Sequence, residues 1–496
     1  MNMANVQPMK TGFSIFRTRV LSILALAAAL VMPAVASAHI RLKLSNPEAG
    51  AHLNVAPREI RLDFSEVPEL TFTTLQLVDV SGKAITLSAL AYASDSKRSV
   101  VATILSALPS GIYTVIWQAA SDDGHPMRDR FAFVVAPGGS SAAGEATNKA
   151  GTDGAAYNAA MMDSMSHHDA ASMPQGTGFG VDSPLYVLLR WTMFIALLLA
   201  IGAVAFYQLV LRFLRAKQRA DSPMLADASL RAARIGRWAV WGLLIVLALR
   251  LLAQSVAMHG AADAFNVALV AAMVQKTMWG HGWLLQLAGI GVAGFGFYRA
   301  QTARASSAST RRGWLIATVG VVILAFTPGL AGHAASTPKL ETLTLLADAL
   351  HVIGAGGWLG SLTIVLLAGI PAALALDETS RAGMVAELIN AFSPTALTFA
   401  GIVATTGTFA AWIHIGSITG LWETPYGRTL LIKLAVLSLM AATGAYNWLR
   451  VKPSLGAANG AARMQRSAKL ETVIGLIVLL VTAVLVALPT SMDMTM

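Results

Sequence analysis

The first residue with distinctive chemistry follows a candidate processing site. Ala36-Ser37-Ala38 comes after a basic segment and an apolar stretch, which is the pattern of a secretory signal peptide. Cleavage there makes His39 the first residue, with an α-amine, a backbone amide and an imidazole as nitrogen donors. Such donors suit a tetragonal metal ion such as Cu(II). We therefore predict a signal peptide over 1–38 and a metal ligand at His39; the alternative is an uncleaved anchor helix.

A carboxylate and a second imidazole occur together further along the chain. Asp123 and His125 lie two residues apart in a loop between the last two predicted strands. With His39 they make a nitrogen and oxygen ligand set without sulfur, which favours Cu(II) over Cu(I). Asp-Gly is also an ordinary turn sequence, so the loop alone is weak evidence. His52 stays open between an auxiliary ligand and an exposed loop histidine.

A third group of candidate ligands is soft and rich in imidazole. The chain contains no cysteine, so any binding of a soft metal relies on methionine and histidine. One short stretch concentrates both residue types, and it predicts metal capture in a linker, with a merely solvated segment as the alternative. Its members are Met161, Met162, Met165, His167, His168 and Met173.

Residues 39–137 are predicted to form an antiparallel β-sandwich. Apolar and polar residues alternate with a period of two between turn sequences, as expected for strands with one buried face. The predicted strands are 40–44, 60–64, 74–78, 100–104, 113–117 and 131–135. Residues 138–184, rich in Gly, Ala, Ser and Thr, are predicted to be a flexible linker.

The rest of the chain is predicted to be an all-α membrane bundle of eight spans. Hydrophobic residues make up 55% of the chain and charged residues 12%, which places most of it in a bilayer. Within 185–488 the spans are 185–211, 238–258, 280–298, 313–332, 345–370, 394–413, 429–449 and 471–488, followed by a short outer tail, 489–496.

The basic residues predict the orientation of this bundle. The first, third and seventh connections are rich in Arg and Lys, so the odd connections are expected in the cytoplasm. The fifth is nearly neutral and gives no signal. Both ends of the mature chain then face outward, which predicts a multi-pass protein of a bacterial inner membrane with a periplasmic N-terminal domain. The net charge of +10 is explained by these loops, so nucleic acid is not expected as a partner.

Five histidines fall in the predicted outer half of the membrane. Imidazole is a common transition-metal ligand, and polar groups at membrane depth are usually functional. Together with one acidic residue they form a candidate transmembrane copper path, although each is also compatible with a place among lipid headgroups. The path residues are His259, His281, His333, Asp348, His351 and His414.

Asp348 has several candidate partners. It precedes His351 by three residues on one helical face, so the two either bind a cation together or Asp348 orients the imidazole. Alternatively the carboxylate pairs with Arg190, Arg250 or Lys433. Glycines within 354–360 predict close packing of a neighbouring helix.

Two parts of the chain resemble known families. The motifs are His39, Asn46-Pro47, Ala56-Pro57, Leu62-Asp63-Phe64-Ser65-Glu66, Asp123-Gly124-His125-Pro126, Asp348 to Gly360, Pro425-Tyr426-Gly427-Arg428 and Lys433. On these motifs, residues 39–137 resemble the CopC periplasmic copper-binding family, and 185–488 resemble the CopD membrane family. The resemblance implies a Cu(II) site of His39, Asp123 and His125 on a cupredoxin-like Greek-key sandwich, and a bundle implicated in copper uptake. Some family members carry a second, methionine-rich Cu(I) site, but no methionine occurs here between His39 and His125.

The sequence thus predicts a non-enzymatic copper-binding transporter for copper uptake, homeostasis or resistance. It is expected to capture Cu(II) outside the membrane and pass it to the bundle, with Cu(I) in the linker or bundle as a further possibility. Its partners are copper ions, the lipid bilayer and periplasmic copper carriers. Two alternatives remain open: a haem-binding electron-transfer or metalloreductase protein, and a periplasmic copper sequestering protein with the bundle as anchor.

Overall fold

A computed structural model describes residues 40–120, 127–136, 183–218, 222–302, 308–330, 341–415, 417–451 and 460–488. Several predictions concern residues outside these ranges. They are the signal peptide, the linker with its Met and His cluster, the outer tail, and the individual ligand candidates His39, Asp123, His125 and His333.

The N-terminal region is a sandwich of two sheets. Its strands are β1 (Leu42–Asn46), β2 (His52–Leu53), β3 (Glu59–Phe64), β4 (Thr74–Asp79), β5 (Ala84–Ile85), β6 (Ala91–Ala93), β7 (Ser96–Thr103), β8 (Gly111–Ala119) and β9 (Met127–Val135). One sheet has the order β1-β3-β7-β6 and the other β2-β9-β8-β4-β5. All six predicted strands are present; the three additional ones have only two or three residues, too few to show a period.

The sandwich core follows from the alternation in the sequence. In β3, Ile60, Leu62 and Phe64 are buried while the residues between them are partly exposed. Phe64 meets Trp117 of the other sheet edge to face, with ring centroids 5.4 Å apart. The two inner faces therefore pack as the sequence predicted.

The remainder is helical. The helices are α1 (Pro184–Lys217), α2 (Pro223–Asp263), α3 (Val267–Lys276), α4 (Met278–Thr302), α5 (Ala308–Leu330), α6 (Thr342–Leu374), α7 (Glu378–Ile415), α8 (Pro425–Val451) and α9 (Gly460–Leu485). Among the described residues, seven helices are long and apolar enough to cross a membrane, and the 25-residue α4 occupies the third predicted span. The predicted fold class, a β-sandwich followed by a helical membrane bundle, is confirmed.

Helices extend beyond the predicted spans. α2 has 41 residues and α7 has 38, because both continue into segments that the sequence analysis treated as connections. Hydropathy marks only the part of a helix that is apolar enough for lipid, so it misses polar helical turns at either end. α3 was not predicted at all, since ten residues are too few to span the membrane.

The glycines of α6 pack against neighbouring helices, as the sequence predicted. A methyl group on Gly357 would overlap the ring of Phe399, and one on Gly360 would overlap the carbonyl oxygen of Leu198 in α1. This crossing coincides with a π-helical stretch, Gly356–Gly360. The glycines therefore allow backbone contact between α1 and α6.

Replacing Gly360 by alanine is expected to destabilise the protein by about 3 kcal/mol, because the new methyl group meets backbone rather than a movable side chain. Thermal unfolding of the purified protein in detergent measures the effect. Gly401→Ala in α7 is the matched control, since nothing lies within 4 Å of the added methyl group. Equal unfolding temperatures for the two variants would contradict the assigned packing.

Candidate metal centre

The start of the described chain is fixed at one end of the sandwich. Ile40 is fully buried in the sandwich core. Next to it, the Arg41 amide donates to Ser65 Oγ at 2.9 Å, and the Ser65 amide donates to the Arg41 carbonyl at 2.8 Å. Ile40 and Arg41 are therefore held beside the end of β3.

The loop that carries Asp123 and His125 begins and ends at the same end of the sandwich. It joins β8 to β9, whose residues Ala119 and Met127 are paired opposite each other. At the base of this loop, the Glu69 amide donates to the Ala120 carbonyl at 2.8 Å. Glu69 lies only four residues after Ser65, which is hydrogen-bonded to Arg41. Arg41 and Ala120 are thus both hydrogen-bonded to one segment, 65–69. The three ligands themselves remain a prediction.

His52 lies at the other end of the sandwich. β2 runs parallel to β9, with His52 opposite Val134, whereas the loop joins β9 at Met127. Seven residues of strand correspond to about 23 Å. The described part of β9 therefore separates His52 from the base of the loop, and its role as an auxiliary ligand stays open.

The end of the sandwich near the loop also contacts residues 257–259, in a compact unit formed by the sandwich and Leu252–Gly280. Gln118 Nε2 donates to the Met258 carbonyl at 3.0 Å, and Arg128 Nη2 donates to the Ala257 carbonyl at 2.7 Å. Arg128 also donates to the Gln118 side-chain oxygen. The sandwich is thus hydrogen-bonded to the backbone of α2.

These contacts follow from an interruption of α2. Gly260 has φ 78° and ψ 167°, which is not a helical conformation. Carbonyl groups in the turn before such a break lack their regular helical donors and need other partners. The Arg128 cation is well suited to this position, because the C-terminal end of a helix carries partial negative charge.

His259 belongs to the same contact region. Its ring centroid lies 5.6 Å from that of Phe72, whose carbonyl also accepts from Gln118 Nε2 at 3.4 Å. Among the candidate path residues, His259 thus has a contact with the sandwich through Phe72. No sequence pattern revealed Gln118, Arg128 or Phe72 as its neighbours.

In the helical bundle, His351 has a defined hydrogen-bond partner. Its Nδ1 lies 2.9 Å from Thr406 Oγ1 in α7. The Thr406 hydroxyl already donates its single proton to the Ile402 carbonyl at 2.7 Å, so it accepts from His351 Nδ1. In the neutral imidazole, Nε2 then keeps the lone pair that binds a metal. Thr406, not Asp348, orients the ring.

Asp348 interacts with a cation instead. Lys433 of α8 acts electrostatically on both Asp348 and His351. The other two candidate cations have different partners: the Arg190 guanidinium lies 4.3 Å from the centre of the Tyr186 ring, and Arg250 donates to Gln286 Oε1 at 3.2 Å. Of the three candidate cations, Lys433 is thus the one within electrostatic range of Asp348.

The other path residues are less closely grouped. His414 packs edge to face on Tyr426, with ring centroids 6.2 Å apart, and Tyr426 is within electrostatic range of Asp348. His281 is exposed on α4. Within the described ranges, no three His, Asp or Glu side chains are grouped closely enough to hold a metal ion. The copper path therefore remains a prediction, with Asp348, His351 and His414 in one region.

Comparison with known proteins gives three family matches along the chain. The CopC domain matches residues 42–136, the copper resistance protein D-like N-terminal domain matches 181–341, and copper resistance protein D matches 386–485. Copper resistance protein C of Pseudomonas syringae is 32% identical over 114 residues, which are 90% of that protein. The chain belongs to the CopC and CopD copper resistance family.

Two further relatives cover more of this CopC–CopD chain. The copper transport protein CutJ of Bacillus subtilis is 25% identical over 92% of the chain and 75% of its own length. Copper resistance protein D of Pseudomonas syringae is 26% identical over 55% of the chain and 84% of its own length. The chain is therefore a multi-pass membrane protein of a family concerned with copper resistance and transport, with a copper-binding type of N-terminal domain.

Proposed function

We propose that this CopC–CopD chain is a copper transporter that captures Cu(II) outside the membrane and passes it to the bundle. His39, Asp123 and His125 bind the ion, with the amine and imidazole nitrogens as principal donors and a carboxylate oxygen beside them. The bundle then carries copper inward for uptake or homeostasis. The protein is not assigned an enzymatic activity.

The contact of Gln118 and Arg128 with Ala257 and Met258 carries this proposal. It joins α2 to the end of the sandwich where the predicted ligands are attached, beside His259. A protein that only sequestered copper would need no contact between its binding end and a histidine-bearing helix. The linker methionines and histidines are proposed to assist capture, with periplasmic copper carriers as donors.

The hydrogen bond between His351 and Thr406 supports a second step. Because Thr406 occupies Nδ1, a neutral His351 offers one lone pair in a bundle with few other metal ligands. His414 and Asp348 lie in the same region. We propose that copper leaving the sandwich is received by these side chains.

The test is the cytoplasmic copper content of cells that express matched amounts of each variant. The parent chain is expected to raise this content severalfold, and His125→Ala or His351→Ala is expected to return it to the vector level. His52→Ala serves as the histidine control, since His52 lies at the other end of the sandwich.

Different outcomes favour the alternatives. Copper that stays outside the cytoplasm and depends only on His125 would indicate sequestration, with the bundle as anchor. A haem absorption band in the purified protein, lost in His351→Ala, would favour the electron-transfer alternative.

A further inference from the structure

A buried carboxyl group lies in the half of the bundle predicted to face the cytoplasm. Glu471 of α9 is 6% exposed, and its Oε2 accepts a hydrogen bond from Asn447 Nδ2 of α8 at 3.0 Å. Asn447 is itself only 5% exposed. The pair lies close to the connection between α8 and α9, away from the candidate copper residues.

The backbone of α8 is shaped around this pair. Asn447 begins a π-helical stretch, Asn447–Val451, and such wider turns often occur at functional sites. One turn earlier, a methyl group on Gly444 would lie 3.0 Å from Glu471 Oε1. A larger residue at this position would thus press on that carboxyl oxygen.

No charged group in the described chain balances a negative charge on Glu471. The Asn447 amide is its sole polar partner, and no cation acts on it electrostatically. On its own pair of helices, Arg450, Arg466 and Lys469 are exposed. An isolated carboxylate in a low-dielectric interior is costly, so the neutral acid is the favoured form.

The remaining helices packed against α9 also present no charge to the carboxyl. Residues 352–376, which include the part of α6 in contact with α9, contain no ionisable side chain. In α1 the cation Arg190 lies on the Tyr186 ring, near the helix start. In α7, Glu387 pairs with Lys217 at 3.7 Å.

The hydrogen bonds of the Asn447 side chain indicate which form of Glu471 is present. Its Oδ1 is buried and has no hydrogen-bond partner, whereas its Nδ2 donates to Glu471. A carboxylate can only accept hydrogen bonds, so it leaves Oδ1 unsatisfied at a cost of about 1–3 kcal/mol. A carboxylic acid has an O–H donor, and an acid next to a primary amide can satisfy both groups at once.

We propose that Glu471 and Asn447 form a proton-binding site in the inner half of the bundle. The proton adds to the Glu471 carboxylate and is donated in a hydrogen bond to Asn447 Oδ1, while Asn447 Nδ2 continues to donate to the other carboxyl oxygen. Release of the proton restores the carboxylate and leaves Oδ1 without a donor. The site does not depend on the copper ligands.

Infrared spectroscopy of the purified full-length protein at neutral pH tests this directly. The parent spectrum is expected to contain the C=O stretching band of a protonated carboxyl group, and Glu471→Gln is expected to lack it. Asn447→Leu should shift the band, because the carboxyl group loses its hydrogen-bond partner. Glu423→Gln is the control, since Glu423 is exposed at the other end of α8 and should leave the band unchanged.

Stability provides the second measurement. Glutamine resembles the protonated acid, with an N–H donor for Asn447 Oδ1 and an oxygen that accepts from Nδ2. Glu471→Gln should therefore unfold within about 2 °C of the parent, because the substitution creates neither a buried charge nor an unpaired polar group. If the C=O band is absent from the parent or is not lost in Glu471→Gln, Glu471 is a carboxylate with an unidentified cation and the proposal is overturned. An unfolding temperature of Glu471→Gln many degrees below that of the parent would overturn it in the same way.

Discussion

His125→Ala is expected to lower the Cu(II) affinity of the mature protein on the order of 100-fold or more. Residues that merely orient a metal ligand already cost 10- to 100-fold, so loss of an imidazole ligand should cost at least as much. Competition titration against a Cu(II) chelator measures the affinity, and electron paramagnetic resonance reports the ligand nitrogens. His52→Ala is the control and should bind like the parent, because β2 holds His52 at the opposite end of β9.

The same site should weaken as the pH falls. The ordinary pKa of imidazole is about 6.5 and that of an α-amine about 8, and both groups must lose a proton to bind copper. Below neutral pH, protons therefore compete increasingly with Cu(II) for the imidazole and amine nitrogens. A variant processed with one extra glycine before His39 should lose the contribution of the amine while keeping both imidazoles. Unchanged affinity in this variant and in His125→Ala would refute the proposed ligand set.

The sandwich was predictable because its signal is local. Strands such as β3 alternate buried and exposed residues, and the alternation is visible in the sequence without knowledge of any partner. The base of the β8–β9 loop is hydrogen-bonded to segment 65–69 through Glu69 and Ala120. The alternation of apolar and polar residues does not reveal this contact. His52 shows the limit of reasoning from residue type: as a histidine it was a candidate ligand, and only the pairing of β2 with β9 shows how far along the sheet it lies from the base of the β8–β9 loop.

The membrane part was predictable in the location of its apolar helices but not in their contacts. Hydropathy locates apolar segments, yet the partner of His351 is Thr406, 55 residues away and unremarkable in sequence. Asp348 had four candidate partners, and tertiary packing decides among them. The Glu471 and Asn447 pair was missed, because one glutamate near the start of an apolar span resembles an ordinary helix end.

Coupling between Asp348 and Lys433 is the second large effect we expect. Asp348→Ala leaves Lys433 without its negative partner, and Lys433→Met leaves Asp348 without its positive partner, within a bundle of low dielectric constant. Each single change should destabilise the protein by about 3 kcal/mol. The double variant should be less destabilised than the sum by about 1–3 kcal/mol, since it removes both charges together.

Unfolding of the four proteins in detergent gives this coupling energy. The matched cycle combines Asp348→Ala with Arg250→Met, because Arg250 contacts Gln286 and Met193 rather than Asp348. In this control cycle, the effects of Asp348→Ala and Arg250→Met on the free energy of unfolding should add within about 0.5 kcal/mol. Equal coupling in both cycles would mean that Asp348 senses the general positive charge of the bundle and has no specific partner in Lys433.

Copper uptake by the double variant separates a structural pair from a functional one. If Asp348 serves only to balance Lys433, removal of both charges restores folding and uptake together. If Asp348 belongs to the copper path, folding returns while uptake stays low, because no carboxylate remains within electrostatic range of Tyr426. We expect the second result, since the hydrogen-bond partner of His351 is Thr406, so balancing Lys433 is the only structural role within the described chain that the loss of Asp348 removes.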